Sequence, residues 1–396
     1  MIDFYQIRSP LSQMTDERMK RFIRLLEQEL GEELRQVSLT DYLRDEFALL
    51  YVASGGSEGY FLEVFEQLKG RNCYILTSGE SNSLAASMEI LSYLKKRGGA
   101  GQILHGDVVS VAARIRALRS AHRAFHALHG KKLGCIGAPS SWLIASDYDA
   151  DAVQRRLGLG FVQIPMEELL SEIAQNRYED NEYTERFKSM AFDRAEVEKA
   201  LCIYGAVKRI SERYGLCGVS VRCFDLLDTV HSTGCLALSI LNSLGVYAGC
   251  EGDMPSLLSM AVLGSVSGED LFMCNPSRFD TKEGCATFAH CTLPLTMPAR
   301  FCLNTHFESG IGVAVQGSFD KGDCTIFKCA GDLSRHFVQE GQILDTPFSD
   351  ALCRTQVRVG IDDFSYYLTD PIGNHHILCK GRHAQEIEAF FSLLNS

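Results

Sequence analysis

The chain has 396 residues, 46 % of them hydrophobic and 22 % charged, with a formal net charge of −11. That length exceeds one ordinary core and predicts two or three compact units of a soluble globular protein. The acidic balance excludes a nucleic-acid surface, which needs a basic footprint.

In the chain's order, the start Met1-Ile2-Asp3-Phe4-Tyr5-Gln6 lacks the basic and apolar regions of a signal peptide. A short strand over residues 4–7 is followed by helical periodicity over 15–30, with Gly31 as a stop signal. Strands at 47–53, 72–77 and 102–105 alternate with helices at 58–68, 82–96 and 107–129, which predicts a parallel α/β layer to about residue 130. The most basic stretch, residues 114–132 with four arginines, three histidines and two lysines, reads as a solvated helix face. The junctions 53–57 and 77–81 are rich in small residues; neither matches a phosphate-loop or dinucleotide fingerprint, and capping with tight turning accounts for them.

A second α/β unit starts at Lys132, with strands at 133–136 and 161–164, a helix at 166–173 and a polar surface loop at 175–184. A long helix over 193–214, a strand at 219–224, a helix at 232–244 and a strand leading into Glu251 complete it. From about residue 275 the segments 312–317, 324–328, 355–360 and 364–368 run β-rich between turns, and Asp320-Lys321-Gly322-Asp323 suits a hairpin. An amphipathic helix over 384–394 closes this part. The fold expected is α/β: two Rossmann-like parallel-sheet domains, 1–130 and 131–275, then a β-rich, antiparallel barrel-like domain over 276–396. No apolar run approaches the ~20 residues of a membrane helix. The fifteen cysteines are odd in number and include no C-x-x-C pair, so neither zinc-ribbon nor thioredoxin chemistry is signalled. A cytoplasmic protein with reduced thiols and no membrane partner is expected.

The chemistry concentrates at Cys250-Glu251-Gly252-Asp253-Met254-Pro255. On extended backbone residues i and i+2 face one side, so Glu251 and Asp253 would offer two oxygens to one crevice at a strand's carboxyl end, where open α/β sheets bind ligands. His290 and the pair His375-His376 are distant sources of imidazole. Oxygen ligands with one or two imidazoles suit Mn²⁺ or Mg²⁺. Asp253 before Pro255 reads equally as a helix cap.

These motifs, with Phe272-Met273-Cys274-Asn275-Pro276, Ala289-His290-Cys291-Thr292, Thr305-His306-Phe307-Glu308-Ser309-Gly310, Cys353-Arg354-Thr355-Gln356 and Gly373-Asn374-His375-His376, resemble in order and spacing the C-terminal half of the L-fucose isomerase/L-arabinose isomerase superfamily. The similarity is to its shorter, fucose isomerase-like branch and covers residues 215–380. It implies the three-part plan above, a homo-oligomer (trimer or hexamer), Mn²⁺ or another divalent cation, and aldose–ketose interconversion of a fucose- or arabinose-like sugar through an enediol. Such a reaction moves a proton between neighbouring carbons and needs a base, an acid and a cation.

Carried over, the resemblance makes Glu251 a metal ligand and candidate base, and Asp253 in the neighbouring turn is a substitute for the second catalytic acid. His376 or its neighbour His375 is the histidine ligand, the two pointing oppositely so that only one faces the ion; His290 is a second histidine at the site, and Asn275 can coordinate through its carbonyl oxygen. His306, Glu308, Arg354, Gln356 and His375 are the substrate-binding candidates. The departure is at 272–276, where the second acidic ligand should stand and no carboxylate is present; Asp280 is a further substitute. That gap favours a second function, a non-catalytic sugar-binding or regulatory relative; a third is a different enzyme on the same scaffold, using Cys274 or Cys291 near His290 as nucleophile and base.

Overall fold

Every residue of Ala48–Val52 is buried, as a strand covered by helices on both faces must be. The computed structural model, which describes residues 1–10 and 16–395, divides into two units, Met1–Ala124 with Gln385–Ser396, and Phe125–Ala384. In the first, β1 (Ile2–Ile7), β2 (Leu34–Gln36), β3 (Ala48–Val52), β4 (Asn72–Leu76) and β5 (Ala100–Leu104) form a parallel sheet in the order β2-β1-β3-β4-β5. Helices Glu58–Leu68 and Ser83–Lys96 pack Phe61, Phe65, Ile90 and Leu94 against Leu50, Val52 and Ile75. Helix Asp16–Leu30 occupies the span expected from periodicity, except Thr15, which lies outside the described residues. The strand β2 and helix Leu39–Arg44 are additions to the expected pattern, each too short to show a period. At the junctions after β3 and β4 the chain turns tightly: a Cβ on Gly55 would stand 2.9 Å from that of Asn82. Helix Ala384–Leu394, expected to close the β-rich domain, belongs from Gln385 onward to this first unit.

In the second unit β6 (Lys132–Ile136), β7 (Gly160–Ile164), β8 (Gly218–Val221) and β9 (Tyr247–Cys250) form a parallel sheet in the order β7-β6-β8-β9. Six further strands close an antiparallel barrel: β10 (Phe272–Asp280), β11 (Cys285–His290), β14 (Gly322–Cys329), β15 (His336–Asp345), β16 (Thr355–Gly360) and β17 (His376–Lys380). The remaining two, β12 (Arg300–Asn304) and β13 (Ala314–Ser318), pair as a separate ribbon. Mixed α/β with two parallel sheets and a closed six-stranded barrel is therefore the architecture.

Helix Met254–Ser267 positions the site. Nearly all its residues are buried, polar Ser256 and Ser259 included, because it touches β6, β8 and β9 on one side and β14 and β17 of the barrel on the other. A helix buried all round has no amphipathic stripe. Its N-terminus lies where the carboxyl end of β9 meets the barrel.

Several local expectations are corrected. Residues 364–368, read as β-rich, form helix Ser365–Thr369. The turn at 320–323 does not join a hairpin; it carries the chain from the ribbon strand β13 into barrel strand β14. The polar loop at 175–184 contains a helix start, since Asn181 and Thr184 form a reciprocal capping box for Glu182–Ser189. Strand β10 runs straight through the expected boundary at residue 275. Cys223 and Cys250, expected as free thiols, are joined as a disulfide beside the ends of β8 and β9. Among the described residues no helix is long and apolar enough to cross a membrane.

Candidate metal centre

Strand β9 ends at Cys250, and the chain then turns through two left-handed residues, Glu251 (φ 65°) and Gly252 (φ 68°). Gly252 is required there twice over: by its φ, and because a Cβ would stand 2.5 Å from the Ala138 carbonyl oxygen. The expected extended geometry for Glu251 and Asp253 is thus replaced by a turn. The two carboxylates still converge, on opposite nitrogens of one ring. His375 is fully buried, its Nδ1 2.8 Å from Asp253 Oδ2 and its Nε2 3.6 Å from Glu251 Oε1.

That Nε2 is buried without a hydrogen-bond partner, an arrangement avoided unless something else meets the atom. His290, also buried, sets its ring edge-on to His375 with centroids 5.4 Å apart and has Nδ1 3.0 Å from Thr292 Oγ1. Glu251 Oε2 accepts from Trp142 Nε1 at 2.6 Å, leaving Oε1 toward the histidines. One ligand atom each from Glu251, His290 and His375 lie within 4.8 Å of one another, so this group can hold a metal ion.

Asp253 is entirely buried and completes His375 from behind. Its Oδ1 accepts from the Ser256 amide at 2.8 Å, capping helix Met254–Ser267, while Oδ2 accepts from Ser256 Oγ and from His375. Because an ionised carboxylate only accepts, it fixes the proton on Nδ1 and leaves the Nε2 lone pair for a metal. Buried carboxylate–histidine–metal triads work in this way.

No known family model matches the chain, and no curated protein is significantly similar to it.

The charges in this pocket are mutually held. Burial would raise the Glu251 carboxyl, but His375, His290 and Trp142 outweigh it and hold it below its usual value. Burial opposes ionisation of Asp253 too, and Lys328, His375 and Ser256 keep it well below the carboxylate range. Burial pushes His375 down, yet Asp253 and Glu251 overcome that and raise it to about 9. Burial, then the neighbouring His375, lower His290 to about 4. A divalent ion must therefore displace one proton, from His375, over most of the range between these values. Metal affinity is expected to rise about tenfold per pH unit from 6 to 8 and to level off as the pH passes about 9. Calorimetric titrations with Mn²⁺ in buffers of different ionisation enthalpy would count that proton; a count of zero would contradict the assignment.

The other candidate residues have these surroundings. His376 points away from the group: its Nδ1 meets the Asn374 carbonyl at 2.9 Å, its Nε2 meets Tyr366 Oη at 3.1 Å, and Tyr366, Tyr367 and Phe337 surround it. It is a packed core histidine, and His375, also named as a substrate-binding candidate, is the member of the pair that joins the group able to hold a metal ion. Asp253 is enclosed by Ser256, His375 and Lys328, contacts through which it can hold the His375 ring in place. The Asn275 carbonyl accepts from Asn374 Nδ2 at 3.1 Å. Gln356, buried, donates to the carbonyls of Ser349 and Cys353 and so ties a loop. Arg354 is committed to Thr305, with its guanidinium against Phe307. Asp280 caps the turn before β11 through Lys282 and Glu283. Glu308 is exposed.

His306 is buried, with Nδ1 3.0 Å from Ser309 Oγ and its ring edge-on to Phe224. Phe224 in turn meets the indole of Trp142 edge-on at 4.8 Å. Trp142, half exposed, thus carries an aromatic row from Glu251 to His306. Cys274 lies buried on β10, and Cys291 contacts Cys235 and Cys353 in an apolar pocket. Trp142 and Lys328 are the neighbours of Glu251 and Asp253 that the sequence did not single out. The chain's only tryptophan, four residues after the Gly137-Ala138 turn that follows a strand, was the available signal for the first.

Proposed function

We propose that this chain is a divalent-metal-dependent sugar isomerase, with Mn²⁺ the natural ion, interconverting an aldose and a ketose of fucose or arabinose type through an enediol. The observation that carries the reading is the buried Glu251–His290–His375 group with Asp253 behind His375. Two imidazoles, one carboxylate and open positions suit Mn²⁺ or Fe²⁺ better than a closed thiolate zinc site. The ordered motifs of residues 215–380 supply the sugar and the reaction. When bound, the ion would polarise a carbonyl and its neighbouring hydroxyl.

The residues themselves would do the rest. Glu251, which accepts from Trp142 through one oxygen, would serve as ligand and as the base that takes a proton from the carbon bearing the hydroxyl. His306, edge-on to Phe224 and within the same aromatic row, would be a further contact for the substrate. The row Trp142–Phe224–His306 offers an apolar face to the C–H side of a sugar. A cytoplasmic homo-oligomer belongs to the same proposal, the oligomer resting on the resemblance alone.

The absence of a carboxylate at 272–276 favours a second reading, a relative that binds sugar without turning it over. One experiment separates the two. Mn²⁺-loaded protein is incubated in D₂O with a panel of aldopentoses and 6-deoxyaldohexoses and followed by NMR. Ketose formation with deuterium incorporated next to the carbonyl is expected. Saturable sugar binding without exchange would favour the non-catalytic relative, and ketose formed without any deuterium would replace the enediol with a hydride shift.

A further inference from the structure

We propose that Lys328, on the barrel strand β14, is a remote positioning residue of the metal centre, acting on His375 through Ser256 and Asp253. The proposal rests on reading Glu251, His290 and His375 as metal ligands. Lys328 is fully buried, and a lysine in that state is expected to have a specific anionic or polar partner. Its Nζ lies 2.6 Å from Ser256 Oγ and 3.9 Å from Asp253 Oδ1.

The direction of each hydrogen bond follows from donor chemistry. An ammonium only donates, so Ser256 Oγ accepts from Lys328 and its own proton goes to Asp253 Oδ2, 2.7 Å away. Asp253 Oδ2 then accepts also from His375 Nδ1. The result is a one-way chain, Lys328 to Ser256 to Asp253, ending on a carboxylate that faces His375. Two things follow. The buried negative charge of Asp253 is balanced from the barrel side, so it does not need to draw a metal or a second proton to itself. And the oxygen that holds His375 is fixed from two sides, which fixes the ring plane and the direction of Nε2. Among the described residues Lys328 has its hydrogen bond and ion pair with Ser256 and Asp253 and not with the three ligands, so its effect on them would pass through this chain.

The test uses Mn²⁺ alone, with the full chain, and compares wild type, Lys328→Met and Ser256→Ala. Affinity is read by electron paramagnetic resonance, and spin-echo modulation counts the imidazole nitrogens on the bound ion. Wild type is expected to show two. Lys328→Met is expected to bind about 10- to 100-fold more weakly, as outer-shell changes usually do, and to lose one nitrogen coupling. Ser256→Ala, which keeps the charge and breaks the link, is expected to weaken binding about 2- to 10-fold, the effect of one hydrogen bond; it decides the matter should Lys328→Met not fold. Wild-type affinity and two couplings in a folded variant would overturn the role of Lys328 while leaving the metal centre standing. No specific Mn²⁺ binding by wild type would overturn both.

Discussion

Alanine at His375 is expected to abolish divalent-ion binding, whereas alanine at its neighbour His376 is expected to leave it within about twofold, although the two residues are adjacent and equally buried. His375 presents an unpartnered Nε2 to Glu251 and His290. Both nitrogens of His376 are engaged, with Asn374 and Tyr366, and burial lowers it to about 3, so it is neutral and structural. The cost of His376→Ala should therefore appear as stability, about 2–4 kcal/mol for emptying a site walled by aromatic rings. Glu251→Gln, which removes the only anionic ligand and leaves a buried amide facing His375, is expected to weaken Mn²⁺ by about 100-fold or more. Because the chain has a single tryptophan and that indole is bonded to Glu251, quenching of its emission by paramagnetic Mn²⁺ gives a direct readout. Retained quenching in His375→Ala with loss in His376→Ala would reverse the ligand assignment.

The contrast between these neighbours shows where sequence reading stops. Alternation along a strand says that one histidine of the pair faces the site and the other does not. Which one is set by register, and Cys274 opposite His376 on the barrel strands places His376 toward the aromatic box. The same limit applies at Glu251 and Asp253. Two acids after a strand signal a crevice, but a left-handed turn at Glu251 cannot be seen in the letters, and it sends one carboxylate to the ring's front and the other to its back. Parallel strands such as Ala48–Val52 were legible because a strand covered on both faces must be apolar throughout. By contrast, β10 mixes Asn275, Pro276 and Arg278 into its sequence, which hides its strand pattern until its two partners are known. Lys328 looks like an ordinary solvated charge on an alternating strand. Only the helix packed over it makes it buried, and that contact spans 72 residues of chain.

Asp253→Asn is expected to separate local from tertiary function in one side chain. Asparagine caps helices about as well as aspartate, so the Ser256 amide keeps its acceptor and the helix start should survive. The lost charge leaves Lys328 buried without its counterion, and removing one member of such a pair typically costs about 3–5 kcal/mol. The new amide also cannot satisfy His375 Nδ1–H and Ser256 Oγ–H as two carboxylate lone pairs do, so the tautomer that frees Nε2 loses its support, and Mn²⁺ affinity should fall about 10- to 100-fold. Adding Lys328→Met to Asp253→Asn removes the stranded charge. Denaturant unfolding of the metal-free proteins should then show more than half of the lost stability regained, while Mn²⁺ affinity stays low. A loss below about 1 kcal/mol in Asp253→Asn would mean that the pair carries little net electrostatic weight. Full recovery of affinity in the double variant would mean that Asp253 serves only to neutralise Lys328, and that His375 finds its orientation elsewhere.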